Sequence, residues 1–329
     1  MRSIDIHAHI APPKAVNLPD GENWHGFTRA EEGGRQFLLY GSQRNWVHPS
    51  YLKTPEQRLT EMDSLGVDVQ VLSTWTQLYN YNLTVEVATA TCRDCNDYVA
   101  EQVTARPQRF AGLATLPMQD VSAAIGELER SMQLGLKGAQ INDHVNGRTL
   151  EEPEFRPFWQ AVEQLGAMIL FHQVENDTIV EARTSKYGLG NAIGNHADRT
   201  VTFATLVFGG VLDQFPDLKL CLAHGGGFTC FGAGRMDRGW QVRSEARVNI
   251  KQPPSKYLNR FYYDCLTHSE QTLRYIIDTA GIDRVFLGSD WPYDMGFDSP
   301  VEWVNNLTSL TQDEKEAILW KNLESVLGI

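Results

Sequence analysis

The chain has little that would carry it into a membrane, a disulfide scaffold or a complex with nucleic acid. No run approaches the roughly 18 uninterrupted apolar residues of a membrane helix. The N-terminal segment enters a strand pattern without a basic-then-apolar leader, so a cytoplasmic protein is expected. Cysteine is scarce and odd in number: Cys92, Cys95, Cys221, Cys230 and Cys265 are the five in 329 residues, which argues against a disulfide framework. Cys92 and Cys95 are spaced as Cys-x-x-Cys, but without a second pair to complete a zinc site they read as packing within a helix. Positive charge is also short. Lys and Arg number 29 against 41 Asp and Glu, a net charge of −12 that is scattered along the chain. That balance disfavours nucleic acid and anionic membranes and favours a small-molecule substrate. No sharp linker divides the sequence, so residues 1–329 read as one domain. Hydrophobic residues make up 42%, an ordinary globular fraction that can bury a large core.

What is present starts at the N-terminus. Ser3-Ile4-Asp5-Ile6-His7-Ala8-His9 reads as a strand in which Met1, Ile4 and Ile6 supply an apolar face and Asp5, His7 and His9 a polar, ionisable one. Two histidines one residue apart on a strand are separated by about 6.6 Å at roughly 3.3 Å per residue. From there two imidazoles can each put a nitrogen at about 2.0–2.1 Å from one Zn²⁺.

Residues 11–53 are rich in Pro, Gly, Trp and charge without clear period, a loop-rich excursion of the kind that is usually functional. Strand and helix patterns then alternate. Strands are expected at residues 67–73, 109–116, 137–142, 167–172, 218–224, 261–265 and 284–290. Helices are expected at about 55–66, 85–105, 121–134, 154–165, 199–215 and 269–280. With the first, that makes eight strands, the recurrence of an α/β fold of the (β/α)8 TIM-barrel class with an insertion after strand one. His7 and His9, His172, His224 and Asp290 fall at the C-terminal ends of strands one, five, six and eight, the face where such barrels gather their active groups. Each has a structural reading when taken singly. Taken together they point to a metal site.

These residues, with Phe110-Ala111-Gly112-Leu113-Ala114-Thr115-Leu116-Pro117-Met118-Gln119, Ala223-His224-Gly225-Gly226-Gly227 and Leu287-Gly288-Ser289-Asp290-Trp291-Pro292, resemble the amidohydrolase-related metal enzymes, in the branch around aminocarboxymuconate semialdehyde decarboxylase. The resemblance implies that His7, His9, His172 and Asp290 bind one divalent metal, Zn²⁺ first and Mn²⁺ as the alternative. It casts His224 as the histidine that orients or deprotonates a metal-bound water, with Asp290 sharing the proton transfers. Arg235 matches an arginine that crosses a homodimer interface to a substrate carboxylate, which its planar fork can hold bidentately; its local alternative is a surface or interface salt bridge. A second such arginine belongs in the excursion after strand one, where Arg44 or Arg35 could serve. Gln173 and His196 depart from the pattern, so the resemblance implies a substrate other than the namesake's. Trp46, Trp75 and Trp291 could stack on a planar substrate or simply pack. The leading expectation is metal-dependent, non-oxidative decarboxylation of a small unsaturated or aromatic acid. The alternative is hydrolysis or hydration of an amide, a lactone or a ring-fission product at the same centre, and a non-catalytic barrel is the third reading.

Overall fold

Strand pairing and helix capping together account for the architecture. The computed structural model describes residues 2–174 and 177–329; Met1 of the expected first-strand pattern lies outside them. In chain order the strands are β1 Ile4–Ile10, β2 Thr28–Glu32, β3 Arg35–Tyr40, β4 Gln43–Trp46, β5 Val69–Thr74, β6 Phe110–Gly112, β7 Gly138–Ile141, β8 His144–Val145, β9 Arg148–Thr149, β10 Met168–Phe171, β11 Lys219–Leu222, β12 Phe261–Asp264 and β13 Val285–Phe286. One parallel sheet runs β1-β5-β6 and another β7-β10-β11-β12-β13. Two joints close them into a barrel. At the first, Ala114 bridges to Ala139, with Ala114 N–H donating to Gly138 O at 2.8 Å. At the second, Ala8 bridges to Trp291, with Asp290 N–H donating to His7 O and His9 N–H to Trp291 O, both at 2.8 Å.

The intervening helices begin and end where their terminal residues satisfy unpaired backbone groups. Thr54 and Gln57 form a reciprocal capping box ahead of helix Pro55–Leu65, which stops at left-handed Gly66. Thr84 caps Val85–Ala105 and Asp120 caps Val121–Gln133 through side-chain oxygens. The expected helix over 199–215 is two helices, Asn195–Phe208 and Val211–Gln214, because Gly210 takes a positive φ of 74° between them. Helix Thr229–Val242 was not anticipated. Strand eight is also shorter than expected: regular pairing covers only Val285–Phe286, after which Leu287 O accepts from Ile6 N and Asp290 N donates to His7 O in the middle of β1.

The first strand corrects a sequence expectation. Ile4 and Ile6 do not share a separate face from the histidines, for all seven residues of β1 are buried. Ile4 and Ile6 pack in the barrel interior with Val71, Met168 and Leu170, whereas Ile10, of the same parity, packs in the outer shell with Leu72 and Phe171. The strand changes sides at a bulge: Asp5 pairs with Gln70 but Ala8 with Leu72, so β1 carries one extra residue there. His7 and His9 consequently stand above the inner core.

The excursion after β1 is more ordered than its sequence suggests. β2, β3 and β4 form an antiparallel sheet, tied down by a core of its own that includes Trp24, Phe27, Leu38, Val47, Tyr51 and Trp75. Among the described residues no helix is long and apolar enough to cross a membrane.

Candidate active site

Three imidazoles reach the site with their ring orientations set from behind. His7 Nδ1 donates to Asp264 Oδ2 at 2.7 Å, His172 Nδ1 donates to the carbonyl of Gln173 at 2.9 Å, and His9 Nδ1 lies 3.4 Å from Ser73 Oγ. A nitrogen engaged in this way leaves Nε2 as the free face of the ring. All three Nε2 atoms surround one oxygen, Asp290 Oδ1, at 3.1 Å for His7, 3.1 Å for His9 and 3.6 Å for His172. The other oxygen, Oδ2, lies 3.4 Å from His224 Nε2. His224 and Asp290 hold positive φ values of 57° and 59°, a left-handed conformation uncommon outside glycine.

Asp264 was missed from sequence, and Asp5, placed on the ionisable face of the first strand, was given no role there. Asp264 ends β12, on the same C-terminal face as the other groups, and this position was the signal available. Besides His7 it accepts from Gly225 N at 2.7 Å and Leu266 N at 3.2 Å. Asp5 accepts from Ser289 N at 3.0 Å and Ser289 Oγ at 2.5 Å, which binds β1 to the turn bearing Asp290. Burial pushes the Asp5 carboxyl up to about 6.

Charge in this pocket is dominated by the two inner carboxylates. Burial opposes a charge on His7, yet Asp290 and Asp264 outweigh it and push that imidazole up to about 10. Burial holds His9 down to about 3 and His224 down to about 4. Burial also disfavours ionised Asp290, but His7, His172 and His224 keep it well below the usual carboxylate range.

The donor set fits a divalent cation. His7, His172, His224 and Asp290 each offer a ligand atom within 4.8 Å of the others, and His9 Nε2 joins them through Asp290. That set includes His224, which the sequence reading cast as a proton carrier. Among the described residues, His7 Nε2 and His172 Nε2 are buried without a hydrogen-bond partner. Ligand atoms of a tetrahedron with arms of about 2.0–2.1 Å lie about 3.3 Å apart, close to the separations seen around Oδ1.

A cavity of about 820 Å³ opens onto this group and is lined by His172, Asp290, Arg44, Trp46, Trp75 and Tyr293, among others. Arg44 lines the cavity from β4, where it is paired with Glu32 and stacked 3.9 Å from the Phe37 ring centre. Arg35 lies 5.7 Å over Trp46. Gln173 also lines the cavity, and its side chain accepts from buried Arg199 at 3.0 Å. His196 sits 6.4 Å from the His224 ring. Of the residues named from sequence as substrate contacts, Arg35, Trp291 and Arg235 are not brought to the cavity. Trp291 lies 4.1 Å beneath the Arg58 guanidinium, and Arg235 is exposed on helix Thr229–Val242.

Comparison with known proteins agrees with this geometry. The model of a family described as Amidohydrolase matches residues 4–329. A 2-amino-3-carboxymuconate-6-semialdehyde decarboxylase of Dictyostelium discoideum is 31% identical over 99% of this chain and 91% of its own length. A gamma-resorcylate decarboxylase of Polaromonas sp. is 30% identical over 84% of this chain and 88% of its own. The crystal structure of 5-carboxyvanillate decarboxylase from Sphingomonas paucimobilis superposes with a TM-score of 0.84 at 27% identity, covering 100% of this chain and 99% of that one.

Proposed function

The chain belongs to the amidohydrolase family, and on that premise we propose that it is a cytoplasmic, metal-dependent, non-oxidative decarboxylase, a carboxy-lyase, of a small aromatic or unsaturated carboxylic acid. The observation that carries the reading is the meeting of three imidazole Nε2 atoms on Asp290 at the edge of a cavity large enough for such an acid. The names of the relatives support the reaction class. Residues 1–329 would act as one barrel domain.

His7, His9, His172 and Asp290 would hold one divalent ion, with zinc favoured by a nitrogen-rich donor set and manganese the alternative. Bound there, it would supply Lewis-acid polarisation of a substrate oxygen. Asp264 and the Gln173 carbonyl keep the His7 and His172 rings turned with Nε2 toward the site. Arg44, and Arg235 from a second copy in a homodimer, hold the substrate carboxylate. Trp291 shapes the site through the turn it shares with Asp290.

The Asp290–His224 pair, 3.4 Å apart, relays the proton. Burial keeps His224 neutral and Asp290 stays ionised, so the pair takes a proton from solvent and delivers it to the ring carbon that bears the carboxylate. The bond to the carboxyl carbon then breaks, CO₂ leaves, and the electron pair of that bond restores the ring. Positioned groups of this kind contribute about 10²–10⁴-fold.

Metal-loaded protein assayed against phenolic and unsaturated carboxylic acids is expected to release CO₂. Turnover confined to amides, lactones or ring-fission products would replace this reading with hydrolysis or hydration.

A further inference from the structure

The cavity over Asp290, at about 820 Å³, lies in the upper part of the roughly 300–1,000 Å³ that accommodates a drug-sized ligand, so a bare one-ring acid leaves part of it unfilled. Gln173 lines that cavity beside His172 and is 4% exposed. Its amide is fixed from behind. Arg199, fully buried, donates to the Phe171 carbonyl through one terminal nitrogen and to Gln173 Oε1, at 3.0 Å, through the other, and so grips the chain on both sides of His172. Asp143, ion-paired with Arg199, holds the guanidinium in place.

A guanidinium carries donors and no acceptor, so the amide atom that meets it must be the oxygen. A glutamine free in a pocket can flip and offer either end to a ligand. This one cannot, because the flip would set NH₂ against Arg199 and leave a buried guanidinium N–H without its acceptor. The end left for the cavity is Nε2. No described residue accepts from it, and it is not one of the enclosed polar atoms without a partner, in contrast to Gln70 Nε2 and Gln140 Oε1. A donor that cannot become an acceptor, held in a cavity wall, selects ligands by the sign of their hydrogen bonding.

We propose that Gln173 determines substrate specificity by donating, through Nε2, to an accepting oxygen on a ring substituent of the acid, such as an ether or carbonyl oxygen, and that a donor such as an amine is rejected at the same place. Arg199 is the positioning residue behind it. That the ligand is an acid to be decarboxylated rests on the reading above; the sign of the hydrogen bond rests on Arg199 and Gln173.

The test is calorimetric titration of metal-loaded protein with 2-hydroxybenzoates bearing a methoxy, an ethyl or an amino group at ring position 3, 4 or 5, with CO₂ release followed in parallel. Ethyl matches methoxy in size and lacks the acceptor. At one position the methoxy acid is expected to bind about tenfold tighter than the ethyl and amino acids, the scale of one well-made hydrogen bond against a donor left unpaired. Gln173→Met should bring methoxy and ethyl within about twofold of each other. Gln173→Glu, which still accepts from Arg199 but turns an oxygen to the cavity, should bind the amino acid tighter than the methoxy acid, and it decides the matter if the Met variant does not fold. No methoxy preference at any position, or one that survives in the variants, overturns the contact. CO₂ released without that preference overturns the contact alone. A preference lost in the variants, with no CO₂ from any compound, overturns the decarboxylase reading and leaves the contact standing. Absence of binding and of CO₂ with every compound overturns both.

Discussion

Asp264 Oδ2 receives the Nδ1 proton of His7 across 2.7 Å, with both side chains completely buried, and so determines which nitrogen of His7 faces Asp290. Asp264→Asn can still accept through its amide oxygen but no longer offers a negative charge. Outer partners of this type are worth about 10–100-fold in metal affinity. We expect Asp264→Asn to weaken zinc binding by about that factor with little change in circular dichroism, measured by competition with a chromophoric chelator.

His224 separates two roles. If it moves protons without binding the ion, His224→Asn lowers kcat by about 10²–10⁴-fold while metal content by elemental analysis stays at wild-type level. A parallel loss of metal would instead make His224 a ligand, as its place in the mutual set with His7, His172 and Asp290 allows.

The buried pair Arg199–Asp143 supports the strand that delivers His172. Arg199 also donates to the Phe171 carbonyl and to Gln173 Oε1. Burial draws the guanidinium down to about 9. Asp143→Ala leaves that charge buried without its counter-ion, and the expected cost is about 3–5 kcal/mol in urea denaturation. A loss below about 1 kcal/mol would mean the pair is not maintained in solution.

His48 should give stability a pH dependence of known sign. Its Nδ1 accepts from Ser50 N at 3.2 Å as a helix cap, which requires the neutral ring, and burial followed by Lys53 holds it below the ordinary imidazole value. A depressed folded value means the contribution is complete above the ordinary imidazole pKa and is lost as pH falls through the lower folded value. The urea midpoint should therefore fall in that window, and His48→Asn, which can cap without titrating, should flatten it.

Much of the barrel was legible because buried parallel strands and capped helices leave strong local patterns. The helix Val85–Ala105 ends where its sequence pattern ends, and His7 and His9, in the second half of β1, share one face with His172, His224 and Asp290, in the segments that follow β10, β11 and β13. The bulge in β1 was not legible, since nothing local in Ile6-His7-Ala8 distinguishes a bulged strand from a regular one; it arises from pairing with β5. The excursion hid its sheet because β2, β3 and β4 are mostly half-exposed and lack clean alternation. Two two-residue hairpin turns were the readable signs: Gly33-Gly34, with both φ values positive, and Gly41-Ser42, with Gly41 at a φ of 56°. Asp264 was passed over because its meaning lies in a partner 257 residues away.

The hydrogen bonds that seal the ring between its last and first staves are donated by Ile6, His9 and Asp290 and accepted by Leu287, Trp291 and His7. Two of the three lie at Asp290 itself or at the residue after it, so the backbone that fastens the cylinder also carries the carboxylate of the reactive cluster. A nascent chain halted before Asp290 would keep one of these bonds and lack both the other two and the carboxylate.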